Sequence, residues 1–162
     1  MKPFLLAAAL AAASGQAHAL SCMRPDPILT FQQLAEAPET YFVLYGELSF
    51  DEGQLPPSVM ENQMSAPDAI PARFVGHGLS ADGFTIDFIT NVEVQIGCAG
   101  PWCGTAQSGV DAIYFVEATD PPLTIHAGPC GGRIFERPDQ AVLDTLTSCM
   151  QGGPCSSTQP FK

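Results

Sequence analysis

The segment from Cys98 to Gly104 resembles a known chemical motif more closely than any other part of this chain. The segment Cys98-Ala-Gly-Pro-Trp-Cys103-Gly contains Trp-Cys-Gly, a fragment found in redox-active Cys-x-x-Cys sites. Such sites lie at a helix N-terminus, which lowers the pKa of the first thiol. Here four residues separate the cysteines, and residues 105–109 have the composition of a loop. The spacing favours a structural disulfide, and a periplasmic thiol–disulfide redox protein using Cys98 and Cys103 is the alternative function.

Histidine and serine side chains offer little further chemistry. His77 lies between two glycines, where a ligand could approach closely, and Ser80 follows it by three residues. A nucleophilic serine needs a base held by a third group, and the chain has no Gly-x-Ser-x-Gly motif. A metal site would depend on His77 and His126, because thiols oxidise outside the cytoplasm. We therefore expect no catalytic residue, no metal and no cofactor.

Carboxylates and glycine-rich segments also lack a catalytic pattern. Asp51 and Glu52 are adjacent, so on a strand they would point to opposite faces and could not act as an acid/base pair. Residues 128–133 are rich in glycine but lack the Gly-Lys-Ser/Thr end of a P-loop. Trp102, the only tryptophan, lies between two cysteines. We expect it to pack on a disulfide, with an exposed anchor for a partner as the alternative.

The first nineteen residues have the pattern of a secretory signal peptide. Lys2 supplies a positive charge, and residues 4–13 form an apolar run that is too short to span a bilayer. Ala17-His18-Ala19 places small residues at the positions that signal peptidase requires. Lipidation of Cys22 is the competing interpretation, but Ala19 occupies the position where a lipid-attachment motif has a branched aliphatic residue. We expect a signal peptide over 1–19, one domain over 20–150 and a tail over 151–162.

Charge and cysteine content limit the possible partners and compartments. The chain has a net charge of −11, and all seventeen acidic residues follow the expected cleavage site. Nucleic acids and anionic membrane surfaces need a basic footprint, which this composition does not supply. The six cysteines also follow that site, and an even number in an exported chain indicates disulfides and a periplasmic or secreted protein. We expect a monomer without a transmembrane segment, whose partner is an unknown protein or envelope component.

The elements that would position these residues are mainly strands. Alternating apolar residues from Phe84 to Ile96 keep their phase across Thr90, which predicts one long bent strand. Gly46 suggests a bulge or a sharp bend in the first strand, and Pro25 and Pro27 argue for an extended lead-in before the first helix. Five or six strands with one late helix predict a mainly β fold, a small antiparallel OB-like barrel with a C-terminal helix. Strands are expected at 41–50, 72–79, 84–96, 112–118 and 123–127, helices at 28–37 and 140–150, and loops at 51–71 and 98–109.

A series of short motifs resembles a known exported module. Cys103-Gly104, Ser108-Gly109, Ile113-Tyr114-Phe115-Val116 and Cys130 occur in the order of the Cys-Gly…Gly…Tyr-Leu-Val…Cys pattern of the tissue-inhibitor-of-metalloproteinase (netrin-like) module. The resemblance spans residues 22–146 and implies an OB-fold. The inhibitors of that family begin with Cys-x-Cys, and the amine and carbonyl of the first cysteine chelate the zinc of the protease. Here Leu20-Ser21 precede Cys22, and Arg24 stands at the second cysteine position, so the resemblance implies the fold more than inhibition.

The six cysteines allow fifteen pairings, so the sequence alone does not decide among them. Cys98 and Cys103 enclose a Gly-Pro turn, and Cys149 and Cys155 flank Gly-Gly-Pro at the end of the last helix, which favours two local bridges. Cys22 then remains for Cys130, as in the tie that the resemblance implies between the N-terminal segment and the segment after Ala127. We expect an exported, disulfide-stapled, non-enzymatic binding or accessory module of the cell envelope.

Mass spectrometry of the exported protein tests the expected processing. We expect the chain to start at Leu20 without a lipid, because Ala17-His18-Ala19 matches the cleavage site and Cys22 lacks the aliphatic residue of a lipid-attachment motif. The intact mass and the N-terminal peptide report both properties. A diacylglyceryl mass on Cys22 would overturn this prediction.

Overall fold

A computed structural model describes residues 21–57 and 67–157, so the expected cleavage site and the end of the tail lie outside the described residues. Most of the described chain belongs to strands. The elements are α1 (Pro27–Ala35), β1 (Tyr41–Ser49), a 3-10 turn (Glu52–Gln54), β2 (Ile70–Ser80), β3 (Gly83–Ile96), β4 (Cys98–Ala99), β5 (Trp102–Cys103), β6 (Asp111–Glu117), β7 (Leu123–Ala127), β8 (Ile134–Glu136) and α2 (Gln140–Met150).

Six strands form one curled half-barrel sheet in the order β7-β3-β2-β1-β6-β8, and β4 and β5 form a separate hairpin. Strands β1 to β3 make a meander, and β6 returns to lie beside β1, which is Greek-key order. The expected wholly antiparallel sheet is wrong, because β7 pairs with β3 in parallel. The chain direction explains this: successive strands of the main sheet alternate, so β3 and β7 run the same way.

The half-barrel has a buried cluster on each face. Alternate residues of β1 point to opposite sides, so Leu44 and Leu48 face the concave side and Val43 faces the convex side. The concave cluster includes Phe74, Val94, Ile96 and Tyr114, and helices α1 and α2 cover part of the convex side. Strand β6 contributes to both clusters, which explains its five consecutive buried residues from Ala112 to Val116.

The prediction of one long strand at β3 is confirmed, but its alternation breaks at one end. The register of β2 and β3 shifts between Gly78 and Leu79. As a result Phe84 packs in the convex cluster with Leu79, whereas Ile86 pairs with Gly78 in the phase of the concave residues. A single bulge therefore sends Phe84 to the face opposite to the one that its spacing indicates.

Helix α1 begins at Pro27, one residue inside the lead-in that was expected to be extended. Proline is compatible with the first helical position, because the N–H that it lacks has no partner there. The Asp26 carboxylate caps the helix by accepting from the amides of Ile28 at 2.8 Å and Leu29 at 3.0 Å. The chain also returns to this helix after α2, where the hydroxyl of Ser157 donates to Asp26.

Helix α2 coincides with the predicted range 140–150. Asp139 caps it by accepting from the amide of Val142 at 2.9 Å, and Gly152 follows the helix with a φ of +74°. Two short elements were not expected: the β4–β5 hairpin lies inside a predicted loop, and β8 has only three residues. Elements this short carry no readable alternation.

The structure pairs the cysteines as Cys22–Cys130, Cys98–Cys103 and Cys149–Cys155, the same pairs that the sequence argument favours. Their Cα atoms lie 5.3, 4.0 and 4.7 Å apart, respectively. The first bridge joins residues 108 positions apart, whereas the other two span 5 and 6 positions.

A pair of glycines brings the backbones of β1 and β2 close together. Gly46 and Gly76 are cross-strand partners. A Cβ on Gly76 would lie 2.2 Å from the carbonyl oxygen of Tyr45 and 2.8 Å from the Phe74 ring. Real Cβ atoms do not approach other atoms so closely, so this position requires glycine. Two positions further along β2, a Cβ on Gly78 would make only ordinary contacts, at 3.7 Å.

Substitution of these two glycines tests the close approach. We expect Gly76→Ala to lower the free energy of unfolding by about 2 kcal/mol or more, because the backbones must separate to admit the methyl group. Gly78→Ala is the matched control on the same strand and is expected to cost at most about 1 kcal/mol. Urea unfolding followed by circular dichroism measures both. Equal stability of the two variants would contradict the proposed role of Gly76.

The long bridge is expected to contribute more stability than a local one. In the chain-entropy model, a loop of about 100 residues contributes roughly 4–5 kcal/mol, and a loop of about 7 residues roughly 2 kcal/mol. Replacing Cys22 and Cys130 by serine should therefore destabilise the protein more than replacing Cys149 and Cys155. Urea unfolding without reductant measures the difference. Peptide mapping without reduction checks the connectivity, and a Cys22 peptide linked to Cys98 or Cys103 would refute it.

Candidate functional site

Cys98 and Cys103, the pair that includes the Trp-Cys-Gly fragment, lie in a hairpin and not at a helix N-terminus. Cys98 on β4 and Cys103 on β5 are cross-strand partners, and Cys103 is buried in the concave cluster. The hairpin is held at the end of β3, where the amide of Gly104 donates to the carbonyl of Gly97 at 2.8 Å. Neither cysteine therefore lies at the start of a helix, as a redox-active pair would, and the bridge closes one end of the half-barrel.

Trp102 lies on the same hairpin, opposite Ala99. It is half-buried, and a Cβ on Gly100 would lie 3.9 Å from its ring. The tryptophan therefore packs within its own hairpin, while part of its side chain faces solvent. Its use as an anchor for a partner stays a prediction.

His77 and Ser80 are engaged in separate local contacts. His77 Nε2 lies 3.3 Å from the Asp87 carboxylate, across the β2–β3 pair on the convex face. The Ser80 hydroxyl donates to the carbonyl of Gly83 at 3.0 Å and lies 3.1 Å from the Thr85 hydroxyl, so it stabilises the turn. Among the described residues, no contact joins Ser80 to His77, and the pair does not form a nucleophile and its base.

The remaining polar candidates also have structural partners. Asp51 accepts from the amide of Gly53 at 3.0 Å, and Glu52 accepts from the amide of Ser108 at 2.6 Å. His126 borders a cleft of about 200 Å³ that also contains Glu136. In the part of the chain that the structure describes, no three His, Cys, Asp or Glu side chains are placed to hold a metal ion.

Two tyrosines are held neutral by their surroundings. Burial raises the pKa of Tyr114 well above its usual range, and the carboxylates of Glu136, Asp111 and Glu47 act in the same direction. Burial followed by the charge of Asp111 also raises the pKa of Tyr45. A raised pKa favours the neutral phenol, so both side chains act as packing groups near neutral pH.

A larger cleft of about 510 Å³ lies between α2 and the β2–β3 turn. Its polar side chains mostly bond to the protein itself: Gln140 donates to Asp144 at 2.8 Å, Gln151 to the carbonyl of Ala81 at 2.7 Å, and Thr147 to the carbonyl of Leu143 at 3.0 Å. These three side chains therefore already have a partner within the protein.

The opposite end of the concave face exposes apolar side chains. We call Phe42, Ile86 and Phe88 the open mouth. Phe42 is 38% exposed and Ile86 is 53% exposed, although both are large and apolar. The ring centroid of Phe88 lies 5.7 Å from that of Phe42 and 6.1 Å from that of Phe74. The rings of Phe42, Phe88 and Phe74 therefore form a row from the solvent-exposed open mouth into the concave core.

Beside the open mouth, β3 has a free edge. Strand β7 pairs with β3 only from Val92 to Ile96. Among the described residues, no strand pairs with residues 84–91 on the side away from β2. The chain explains where the pairing stops: Pro121 and Pro122 precede Leu123, and a proline has no N–H with which to extend the ladder. We call residues 84–91 the free edge.

The two faces of the free edge differ in chemistry. Ile86 and Phe88 face the concave side, next to the open mouth. On the convex side, Asp87 is 91% exposed and Ile89 is 59% exposed. Ile89 pairs with Val75 of β2, which is 45% exposed. The free edge therefore combines unpaired backbone with an apolar inner face and a partly acidic outer face.

The sequence analysis missed this surface, although two signals were present. The alternation of Ile86 and Phe88 predicts a strand but not its exposure, because periodicity does not show where a neighbouring strand ends. The two prolines before β7 indicated that the neighbouring strand starts late. These prolines predict a free edge only once it is known that β7 pairs with β3, and that pairing is seen only in the structure.

We compared the chain with models of protein families, with curated proteins and with solved structures, and none of the three comparisons gives a match. No functional assignment is therefore transferred from a relative. The open mouth and the free edge are the surfaces of this chain that bear on its function.

Proposed function

We propose that this protein is an exported, non-enzymatic binding or accessory module of the cell envelope that takes a protein partner at the open mouth. The carrying observation is the exposure of Phe42 and Ile86 beside the half-buried ring of Phe88. Large apolar side chains that converge at one place on a surface are typical of interaction sites. The polar candidates for catalysis bond instead to the turns and strands around them, which supports binding over chemistry.

We also propose an OB-type barrel, as in the tissue-inhibitor-of-metalloproteinase-like module that the sequence resembles. The strand order supports it: a three-strand meander, a fourth strand beside the first and a further strand beside the third. The OB-fold is a five-stranded, partly open Greek-key barrel that uses the face of its second and third strands to bind ligands. Here the corresponding strands are β2 and β3, and β3 carries Ile86 and Phe88 of the open mouth.

Export to the periplasm or the medium is part of the proposal. Three disulfides in a chain of 162 residues support an oxidising compartment, because cytosolic thiols are kept reduced. No helix in the described ranges is long and apolar enough to cross a membrane.

Affinity capture with matched variants tests the proposed function. The mature protein, immobilised on beads, is incubated with an envelope extract of the cells that export it. We expect at least one envelope protein to be retained by the wild type and reduced at least tenfold by the double substitution Phe42→Ser/Ile86→Ser, because burial of the exposed parts of the two side chains together contributes about 1.4 kcal/mol or more. Quantitative mass spectrometry of the eluates provides the measurement.

The control for this capture is Met150→Ser. Met150 is also a large apolar residue, 40% exposed, but it lies at the end of α2. It should leave retention unchanged, and thermal melts verify that every variant is folded. If no retained protein depends on the open mouth, or if Met150→Ser causes the same loss, the proposed function is wrong.

A further inference from the structure

We infer that the free edge binds an extended, basic segment of a partner protein as an added strand of the sheet. This inference rests on the proposed binding function and specifies its mode. Strand addition requires unpaired backbone groups along a strand and side-chain surfaces that distinguish the two faces of the incoming segment. Residues 84–91 of β3 provide both.

The length of the free edge suits one short segment. It extends from Phe84 to Asn91, where pairing with β7 begins at the next residue. In a strand, every second residue directs its N–H and C=O to the same side, and the bulge near Phe84 leaves residues 86–91 as a regular ladder for one short strand. An added strand would continue the line of β7 and close the gap beside the open mouth.

The free edge has only part of the protection that exposed edges usually have. Native proteins guard such edges with charged side chains, proline, β-bulges or a covering element. The bulge near Phe84 guards one end and Asp87 places one charge at the centre, but β3 contains no lysine, arginine or proline. Two isoleucines of the free edge, Ile86 and Ile89, are more than half exposed, and among the described residues no helix or loop forms backbone hydrogen bonds along it. A partner strand that covered this edge would bury both isoleucines.

The charges around the free edge favour a basic segment. Asp87 is 91% exposed in the middle of the edge, and Glu93 points to the same convex side two positions beyond its end. The neighbouring turn adds Asp82, whereas the nearest arginine on this sheet face is Arg73, one strand further in. A strand with alternating residues would therefore place apolar side chains beside Ile86 and Phe88 and basic side chains beside Asp87.

A second copy of this chain is a poorer occupant. Antiparallel pairing of two free edges places two strands with Asp87 near their centres side by side, which brings the two carboxylates onto the same face. Each copy also carries a net charge of −11 over the full sequence, so the approach of two copies is opposed by repulsion. A basic segment from another protein meets neither penalty.

Synthetic peptides test the inference on the mature protein. The probe is a ten-residue peptide of alternating valine and lysine with capped ends, and its controls are a valine–glutamate peptide and an N-methylated probe that lacks backbone donors. We expect binding of the probe alone, measured by calorimetry and weakened by salt. Hydrogen exchange followed by NMR should show protection of amides within residues 84–91 that exchange rapidly in the free protein.

Variants separate the free edge from the neighbouring apolar surface. Ile86→Lys and Ile89→Lys should each weaken probe binding about fivefold or more, because the lysine placed at position 86 would face the valines of the probe and the one placed at position 89 would face its lysines. Val75→Lys is the matched control: Val75 is similarly exposed beside Ile89, but β1 and β3 flank its backbone, so binding should change less than about twofold. Thermal melts show whether each variant is folded.

The alternative outcomes overturn the inference in different ways. Equal binding of the N-methylated probe, or an equal effect of Val75→Lys, would show that side chains and not the edge take the ligand. Protection of the same amides by self-association, seen as dimers in sedimentation, would make a second copy the occupant. If an envelope protein is captured through the open mouth while no probe protects the free edge, the proposed function stands and the inference fails.

Discussion

The close approach of β1 and β2 at Gly46 and Gly76 is the constraint on which the rest of the half-barrel depends. The absence of side chains there lets the Phe74 ring lie over Gly76 inside the curl. Around that ring the concave residues of the other strands pack, including Tyr114, whose ring centroid lies 5.6 Å from that of Phe74. The same curl turns alternate residues of β1 and β6 outward, where they form the surface on which the two helices pack.

Most of the regular elements could be predicted from the sequence, because long alternating segments and capped helices carry local signals. Strand β3 and helix α2 are examples, each with a clear pattern and a turn residue at its end. Non-local properties could not be predicted. The parallel pairing of β7 depends on which strand it joins, and the opposite placement of Phe84 depends on a bulge in the pairing with β2. The candidate site is entirely of this kind, since exposure of Ile86 depends on where β7 begins.

The restraints that stabilise this sheet and the proposed binding surface lie in different parts of it. The hairpin with Cys98–Cys103 closes one end, and the helices cover part of the convex face. The bridge Cys22–Cys130 holds the N-terminal segment before α1. With so many restraints elsewhere, the molecule can leave one strand edge and one end of the concave face uncovered without losing its fold. A rigid frame that presents an open backbone ladder also loses little entropy when a flexible segment binds.

The order of the cysteines along the chain has a consequence for how the protein reaches its oxidised state. In the proposed export, Cys22 is the first cysteine to cross the membrane, and its partner follows 108 positions later. An enzyme that oxidised cysteines in the order of their emergence would join Cys22 to Cys98, and would then join Cys103 to Cys130. Both links are non-native, and they exchange only when a thiolate attacks them. With such an enzyme, the proposed export would make maturation depend on a disulfide isomerase that converts these links to the native pairs.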